Sequence, residues 1–456
     1  MMTESKGAIS KLMAEASNYD LDAHGGKRLG SYLMLDNLTS LWLMQTVGIP
    51  DELYRKVDVL ATTQEDLMAK MIFVKLPQVD SSFPPLDRKP IDRDSDSTIH
   101  LVVVGNSDLA EAMVMNAALV AHYPNYCRDH RLRTRITIVA DEIFEWRNRL
   151  VQRYQHLFEH SYYRTINLED DNPHCDTHRP KYWKTREDFV DIEWEFVNGN
   201  LRHEALRTKL QEWCESGKQQ LTVAFCMNDQ QRNFTESFSL PEALYEKSVP
   251  ILCYAEDSDM LRMVSASGKY HSIYPFGSYI CQQEVLVSLK QLAKRINYVY
   301  NYCFSLPQET EVCAPLDIDE SRLDELWTSV GSLPKQYSNV FNAMTIGSKM
   351  HSLGHEPEDW HTFYALSKQE IEVLTEVEHN RWSVEELILG YRPVTDEEQK
   401  AIEADIALKK SYRNQKVHYD LRAFRDLRPD ATGKPVYIYD LALTQGIPLI
   451  VKSCFG

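Results

Sequence analysis

Ile99 to Val104 is an apolar run with the length of a strand buried on both faces, and Gly105 ends it and opens a helix through Asn106, Ser107 and Asp108. On that helix Leu109, Ala112, Met113, Asn116, Ala117 and Val120 share one side. The alternation then repeats. Arg135 to Ala140 reads as a second buried strand ending in Asp141, and Tyr162 to Leu168 as a third. After an insertion holding Trp183 and Trp194 come a strand at Leu221 to Cys226, a helix at Gln230 to Glu246, a strand at Pro250 to Tyr254 and a short strand near Tyr270 to Tyr274. Strands alternating with helices imply right-handed crossovers and a doubly wound parallel α/β sheet.

The stretch from about 98 to 278 resembles the nucleotide-binding Rossmann domain of Trk-type potassium-uptake regulators. In that family a glycine-rich turn admits the pyrophosphate to a helix N-terminus, and an acid after the second strand holds the ribose. The resemblance implies cofactor-binding roles for Gly105, Ser107 and Asp141, within a fingerprint reduced to Gly105-x-Ser107-x-x-Ala110. NAD or another adenine nucleotide is the cofactor it implies. Asn228 and Asp229 stand at the carboxyl end of the Leu221 strand, where such sheets bind ligands, although turn chemistry explains the same pair. The competing reading is a scaffold in which Gly105 only makes a tight turn.

A second constraint lies near the other end. In Leu374 to Tyr391, LTEVEHNRWSVEELILGY, the residues Leu374, Val377, Arg381, Val384, Leu387 and Ile388 recur at helical steps, and Gly390 and Pro393 supply the stop. His379 and Trp382 fall on a neighbouring face, and Glu385 and Glu386 read as surface carboxylates. This L-x-x-x-E-H-x-R-W run with Gly390-Tyr391 resembles the opening helix of the ryanodine-receptor repeat (Ryr) domain. Lys416-x-His418 through Leu421 to Leu427 resembles its second half, with Tyr419 and Phe424 where that family carries proline and tryptophan. The resemblance implies a ligand site made of His379, Arg381, Trp382, Tyr391, Lys416 and His418, with Trp382 stacking on a nucleobase. The residues alone also allow a core Trp382, an Arg381 paired with Glu378 or Glu385, and a capping His379.

These landmarks divide the chain into a helical N-terminal region over 1–77, a linker over 78–97, the Rossmann-like domain over 98–302, a second linker over 303–319 and a mainly helical Ryr-like domain over 320–456. Within the first region, Ala8 to Ala16, Leu33 to Val47 and Leu53 to Val59 read as helix and Met71 to Leu76 as a short strand. A net charge of −17 argues against broad nucleic-acid binding. No apolar run reaches the roughly 18 to 20 residues that span a bilayer, and the start has no secretory pattern, so a cytoplasmic location is expected. Nine cysteines without a C-x-x-C pair fit reduced thiols. His174, Cys175 and His178 lack a fourth zinc ligand, and no hydrolase, zincin or Walker motif occurs. No metal ligand and no catalytic residue is therefore assigned. The expected function is a homo-oligomeric sensor or regulator that binds a small nucleotide and changes its domain arrangement or assembly, as in antiviral or stress signalling. The alternatives are a dinucleotide-dependent enzyme and a regulatory subunit of a potassium channel or transporter.

Overall fold

The computed structural model describes residues 2–3, 7–77, 82–169, 174–180, 188–256, 259–266, 268–277, 283–306, 313–362, 365–429, 433 and 435–455. Its N-terminal part is α/β, where the sequence reading expected helix. Strands β1 (Met2–Thr3), β2 (Leu29–Met34) and β3 (Val57–Thr62) form a parallel sheet in that order. The helix expected to reach Val59 stops at Lys56, because Val57-Asp-Val-Leu-Ala alternates as a strand and buries Val57, Val59 and Leu60. The strand expected after Met71 is instead the end of the Gln64–Phe73 helix.

The main sheet runs β4 (Thr98–Val104), β5 (Thr134–Ala140), β6 (Tyr162–Asn167), β7 (His174–His178), β8 (Ile192–Asn198), β9 (Gln219–Phe225), β10 (Ile251–Tyr254) and β11 (Ile273–Phe276). Across the sheet the order is β11-β10-β9-β4-β5-β8-β6-β7, parallel throughout except for the β6–β7 edge pair. Trp194, placed by the sequence reading in an insertion, lies on the interior strand β8, while Trp183 lies outside the described residues. The helix expected over Gln230 to Glu246 is two, Gln230–Ser237 and Glu242–Glu246, because Pro241 cannot donate a backbone hydrogen bond through the join.

β4 explains why both faces are covered. Ile99, Leu101 and Val103 point into one core, and Val102 and Val104 into a second on the opposite face. The first core is shared with the N-terminal unit and the C-terminal helices, since it runs from Ala8 to Val451. The Asp108–Val120 helix lies at its centre and is buried all round, as its alanine-rich surface permits. Side chains join the three parts. The Tyr337 hydroxyl accepts from the Ala61 N–H (2.7 Å) and donates to its carbonyl (3.0 Å), satisfying the outer edge of β3. Trp327 Nε1 and Lys290 both bond Asp58, at 2.9 and 2.7 Å.

Both proline-rich linkers are anchored where they are described. Asp87 is buried and bonded to His351 Nδ1 at 2.8 Å, Arg88 donates to the Leu221 carbonyl at 3.2 Å, and Ile91 is fully buried. Cys313 and Ile318 of the second linker are also buried. Residues 78–81 and 307–312 of these segments lie outside the described residues. Such composition forbids regular secondary structure, but it does not stop single side chains from docking.

β4 and β9 are neighbours whose connections leave in opposite directions, so their carboxyl ends bracket the switch point of the sheet. Gly105 sits there at φ +127°, and a Cβ built on it would meet the Cys226 and Met227 backbone at 2.9 Å. Gly105→Ala is therefore expected to destabilise the protein by about 2 to 4 kcal/mol, read from urea denaturation.

Candidate ligand-binding site

The helix that the sequence reading placed at Leu374 begins earlier and spans Lys368–Ile388. Ser367 and Glu370 form a capping box at its start, a signal legible in the letters. At its end Gly390 adopts φ +85°, and the chain turns so that strand β12 (Arg392–Pro393) pairs with β13 (Val417–His418). That pairing brings Tyr391, Lys416 and His418 beside the last turns of the helix.

The result is a small cup. The Trp382 and His418 rings meet edge to face at 4.9 Å, and Tyr391 approaches His418 at 6.0 Å. Lys416 Nζ lies 4.4 Å from the centre of the Tyr391 ring. Trp382 and Tyr391 are only half buried, whereas His418 is buried. His418 Nδ1 accepts the Asp420 N–H at 3.2 Å, and burial lowers its pKa to about 3. The ring is therefore neutral with its proton on Nε2, and that donor is buried without a partner. Glu386 lies one helical turn beyond Trp382, with Oε2 also buried and unpartnered. Burial, reinforced by the neighbouring Glu385, raises its pKa to about 7. The Ser383 hydroxyl is a third buried group without a partner. Arg413, exposed on the Leu408–Asn414 helix, acts electrostatically on Glu386, Tyr391 and His418.

Three of the residues assigned to the ligand are engaged inside the protein. Arg381 is 2% exposed, bonds Glu378 through two nitrogens and pairs with Glu385. His379 is buried between the Arg422 carbonyl (2.8 Å) and Asp440 (3.3 Å). Lys416 donates to the carbonyls of Thr46 (3.0 Å) and Leu389 (3.2 Å), so its ammonium caps two helix ends. Arg381 and His379 thus belong to the core, and Lys416 contributes its stem and its charge at the rim. The sequence reading passed over Ser383 and left Arg413 out of the site as part of a basic run, Lys409 to Arg422, that suits a phosphate but more often forms a solvated helix face. Glu385 and Glu386, read as surface, are both buried, and the four-residue step from Trp382 to Glu386 was the available signal.

The switch-point crevice is built differently. The Ser107 hydroxyl donates to the Cys226 carbonyl and accepts from the Ala110 N–H, so it caps the helix and ties it to β9. Asp141 accepts from Arg232 (3.0 Å) and Asn200 (3.1 Å). Asp229 caps the Gln230–Ser237 helix, and Asn228 is exposed in the turn before it. Gly105 makes the tight turn against the Cys226 and Met227 backbone, and Asp108 and Glu111 lie in the first turn of the helix that follows. Ser107, Asp141 and Asp229 thus each have a structural partner within the protein.

An open pocket of about 270 Å³ lies elsewhere, against β6 and β7, with a stacked Tyr163–His178 pair and an Arg147 already bonded to Thr165 and Asn148. His174, Cys175 and His178 lie on β7, whose alternation turns Cys175 away from His178. Among the described residues no group of three or more His, Cys, Asp or Glu gathers as a metal site, and every described cysteine is a free thiol. No described helix is long and apolar enough to cross a membrane.

Fold and site together define a mostly parallel α/β protein whose helical C-terminal part carries a polar, aromatic cup. Comparison with protein-family models, curated proteins and solved structures gives no match.

Two outcomes follow from these charges. Arg381→Met leaves Glu385 buried without its cation and Glu378 with Lys349 alone, and is expected to cost about 3 to 5 kcal/mol in urea denaturation. A carboxyl whose pKa rises on folding, here from 4.5 to about 7 at Glu386, makes stability fall as pH rises through that window. Glu386→Gln should flatten this slope in denaturation curves taken between those two pH values.

Proposed function

We propose that the protein is a ligand-responsive regulator that binds an adenine-containing or related signalling nucleotide in the cup around Trp382. The observation that carries this reading is a half-exposed indole beside two buried, unpartnered polar groups, His418 Nε2–H and Glu386 Oε2. A nucleobase offers a flat face for stacking and an edge with both donors and acceptors. The neutral His418 donates to a ring nitrogen, and the Glu386 carboxyl, close to half-ionised at neutral pH, accepts from an exocyclic amine. Arg413 at the rim is the partner for phosphate.

The cup is joined to the other parts of the molecule, as a regulator requires. Trp42 Nε1 donates to the Ile388 carbonyl at 3.2 Å, and Lys416 holds the end of the Leu38–Thr46 helix. Through Lys349 and Glu378 the same long helix reaches the segment that contacts Val120 and Asp87. A ligand that favours one setting of these contacts shifts domain arrangement or assembly by its differential affinity. The Trk-type and Ryr-like resemblances, and a setting in cytoplasmic antiviral or stress signalling by a homo-oligomer, belong to this proposal. The dinucleotide-dependent enzyme is the less favoured reading, because Ser107 and Asp141 are bonded within the protein and Asp108 and Glu111 bring carboxyl groups to the first helical turn.

Isothermal titration with AMP, ADP and ATP is expected to show binding to the wild type that Trp382→Ala weakens about tenfold to a hundredfold. Absence of binding to wild type, or equal binding by the variant, would overturn the reading. Circular dichroism of the variant separates lost stacking from lost fold.

A further inference from the structure

The open pocket of about 270 Å³ lies between the Ile143–Arg153 helix and the β6–β7 pair at the sheet edge. Pockets that enclose a drug-sized ligand run from about 300 to 1,000 Å³, so this one suits a smaller molecule. Arg147 and Val151 stand one turn apart on its helix wall, and Tyr163, Thr165 and Asp176 line its strand wall. The cup around Trp382 contributes no residue to it.

The guanidinium in this pocket is held by neutral groups alone. Arg147 Nη1 donates to the Thr165 hydroxyl at 2.9 Å, Nε and Nη2 donate to the Asn148 amide oxygen at 3.2 and 2.8 Å, and Cζ lies 5.6 Å from the centre of the Phe144 ring. These contacts fix its orientation and leave one N–H on each terminal nitrogen for a further acceptor. Arg135 on β5, Arg164 on β6 and Arg153 on the same helix each face a carboxylate, respectively Glu193, Glu195 and Glu111. Arg147 bonds none among the described residues. The Thr165 hydroxyl is buried and accepts from Arg147, and its own proton meets no acceptor among the described residues. An oriented cation beside a buried hydroxyl donor is an arrangement that takes an oxyanion.

We infer that this pocket binds a small monocarboxylate, its oxygens on Arg147 and Thr165 and its apolar body against Val151 and Tyr163. Asp176 sets the charge that is accepted. It lies directly across the β6–β7 ladder from Thr165 and lines the same pocket without pairing with Arg147. A phosphate dianion would meet that carboxylate as a like charge, whereas one negative charge is balanced by the guanidinium. The site is separate from the cup, and the inference does not depend on the nucleotide reading.

Saturation-transfer NMR titration of the full chain with benzoate, repeated with inorganic phosphate as competitor, tests the inference. Benzoate is expected to bind the wild type, and phosphate at equal concentration to displace little of it. Arg147→Gln should weaken benzoate binding about tenfold or more, with an unchanged circular dichroism melt showing that the fold is kept. Asp176→Asn, an exposed substitution that removes the like charge, should let phosphate compete. No benzoate signal from wild type, or equal binding by Arg147→Gln, would overturn the site. Binding lost in Trp382→Ala and kept in Arg147→Gln would place the carboxylate in the cup and overturn it as well. Phosphate that competes equally in wild type and Asp176→Asn would overturn the monocarboxylate class.

Discussion

A single guanidinium holds the C-terminal half of the molecule in register. Arg381 lies fully buried between Glu378 and Glu385, and Glu378 in turn takes Lys349 and the amide of Asn342. Burial alone would raise the Glu378 pKa, but Arg381 and Lys349 bring it down to about 2, so the carboxylate stays charged in the interior. Ions taken out of water cost several kcal/mol each unless every partner is in place. Three helices, Leu333–Met344, Ile346–Ser352 and Lys368–Ile388, are therefore confined to the one arrangement that supplies those partners.

The rest of the architecture hangs on these helices. Ser348 donates to the Val120 carbonyl at 3.1 Å, and His351 holds Asp87 of the proline-rich strap, fixing the sheet below the bundle. On the other side Tyr337 closes the edge of β3. The central Asp108–Val120 helix, packed on every side, leaves no free surface on which these parts could slide. Polar contacts set the register here, and the apolar core supplies the area buried.

The cup inherits its shape from the same helix. Arg381 and His379 point inwards, and Trp382, Ser383 and Glu386 are carried to the faces beside them by the helical repeat. The far wall comes from residues 391–393 and 416–418, held by the two residue pairs of the β12–β13 ladder and by the Lys416 ammonium, whose bonds to two helix ends support a positive φ of 61°. The cup is thus built on a rigid helix and closed by a short, specifically tethered turn.

Much of the sheet was legible, because a strand buried on both faces needs a run such as Ile99 to Val104 and a crossover needs a patterned helix after it. The long C-terminal helix and its stop were legible for the same local reasons. Strand β8 was not, since it enters between β5 and β6 after an excursion to the sheet edge, and pairing across such distance leaves no periodic trace. The N-terminal strands were hidden because alternation over six residues competes with helical spacing until a neighbour is present. At the site, the letters located Trp382, Tyr391 and His418, but a histidine, an arginine and two glutamates on one helix look alike until their environment is known. The sequence by itself determined which residues share a face of each element, because that follows from backbone periodicity. Only the tertiary structure decided that Arg381 would be neutralised in the core and that Glu386 and His418 would keep unpaired polar atoms, because burial and partners are supplied by segments distant in the chain.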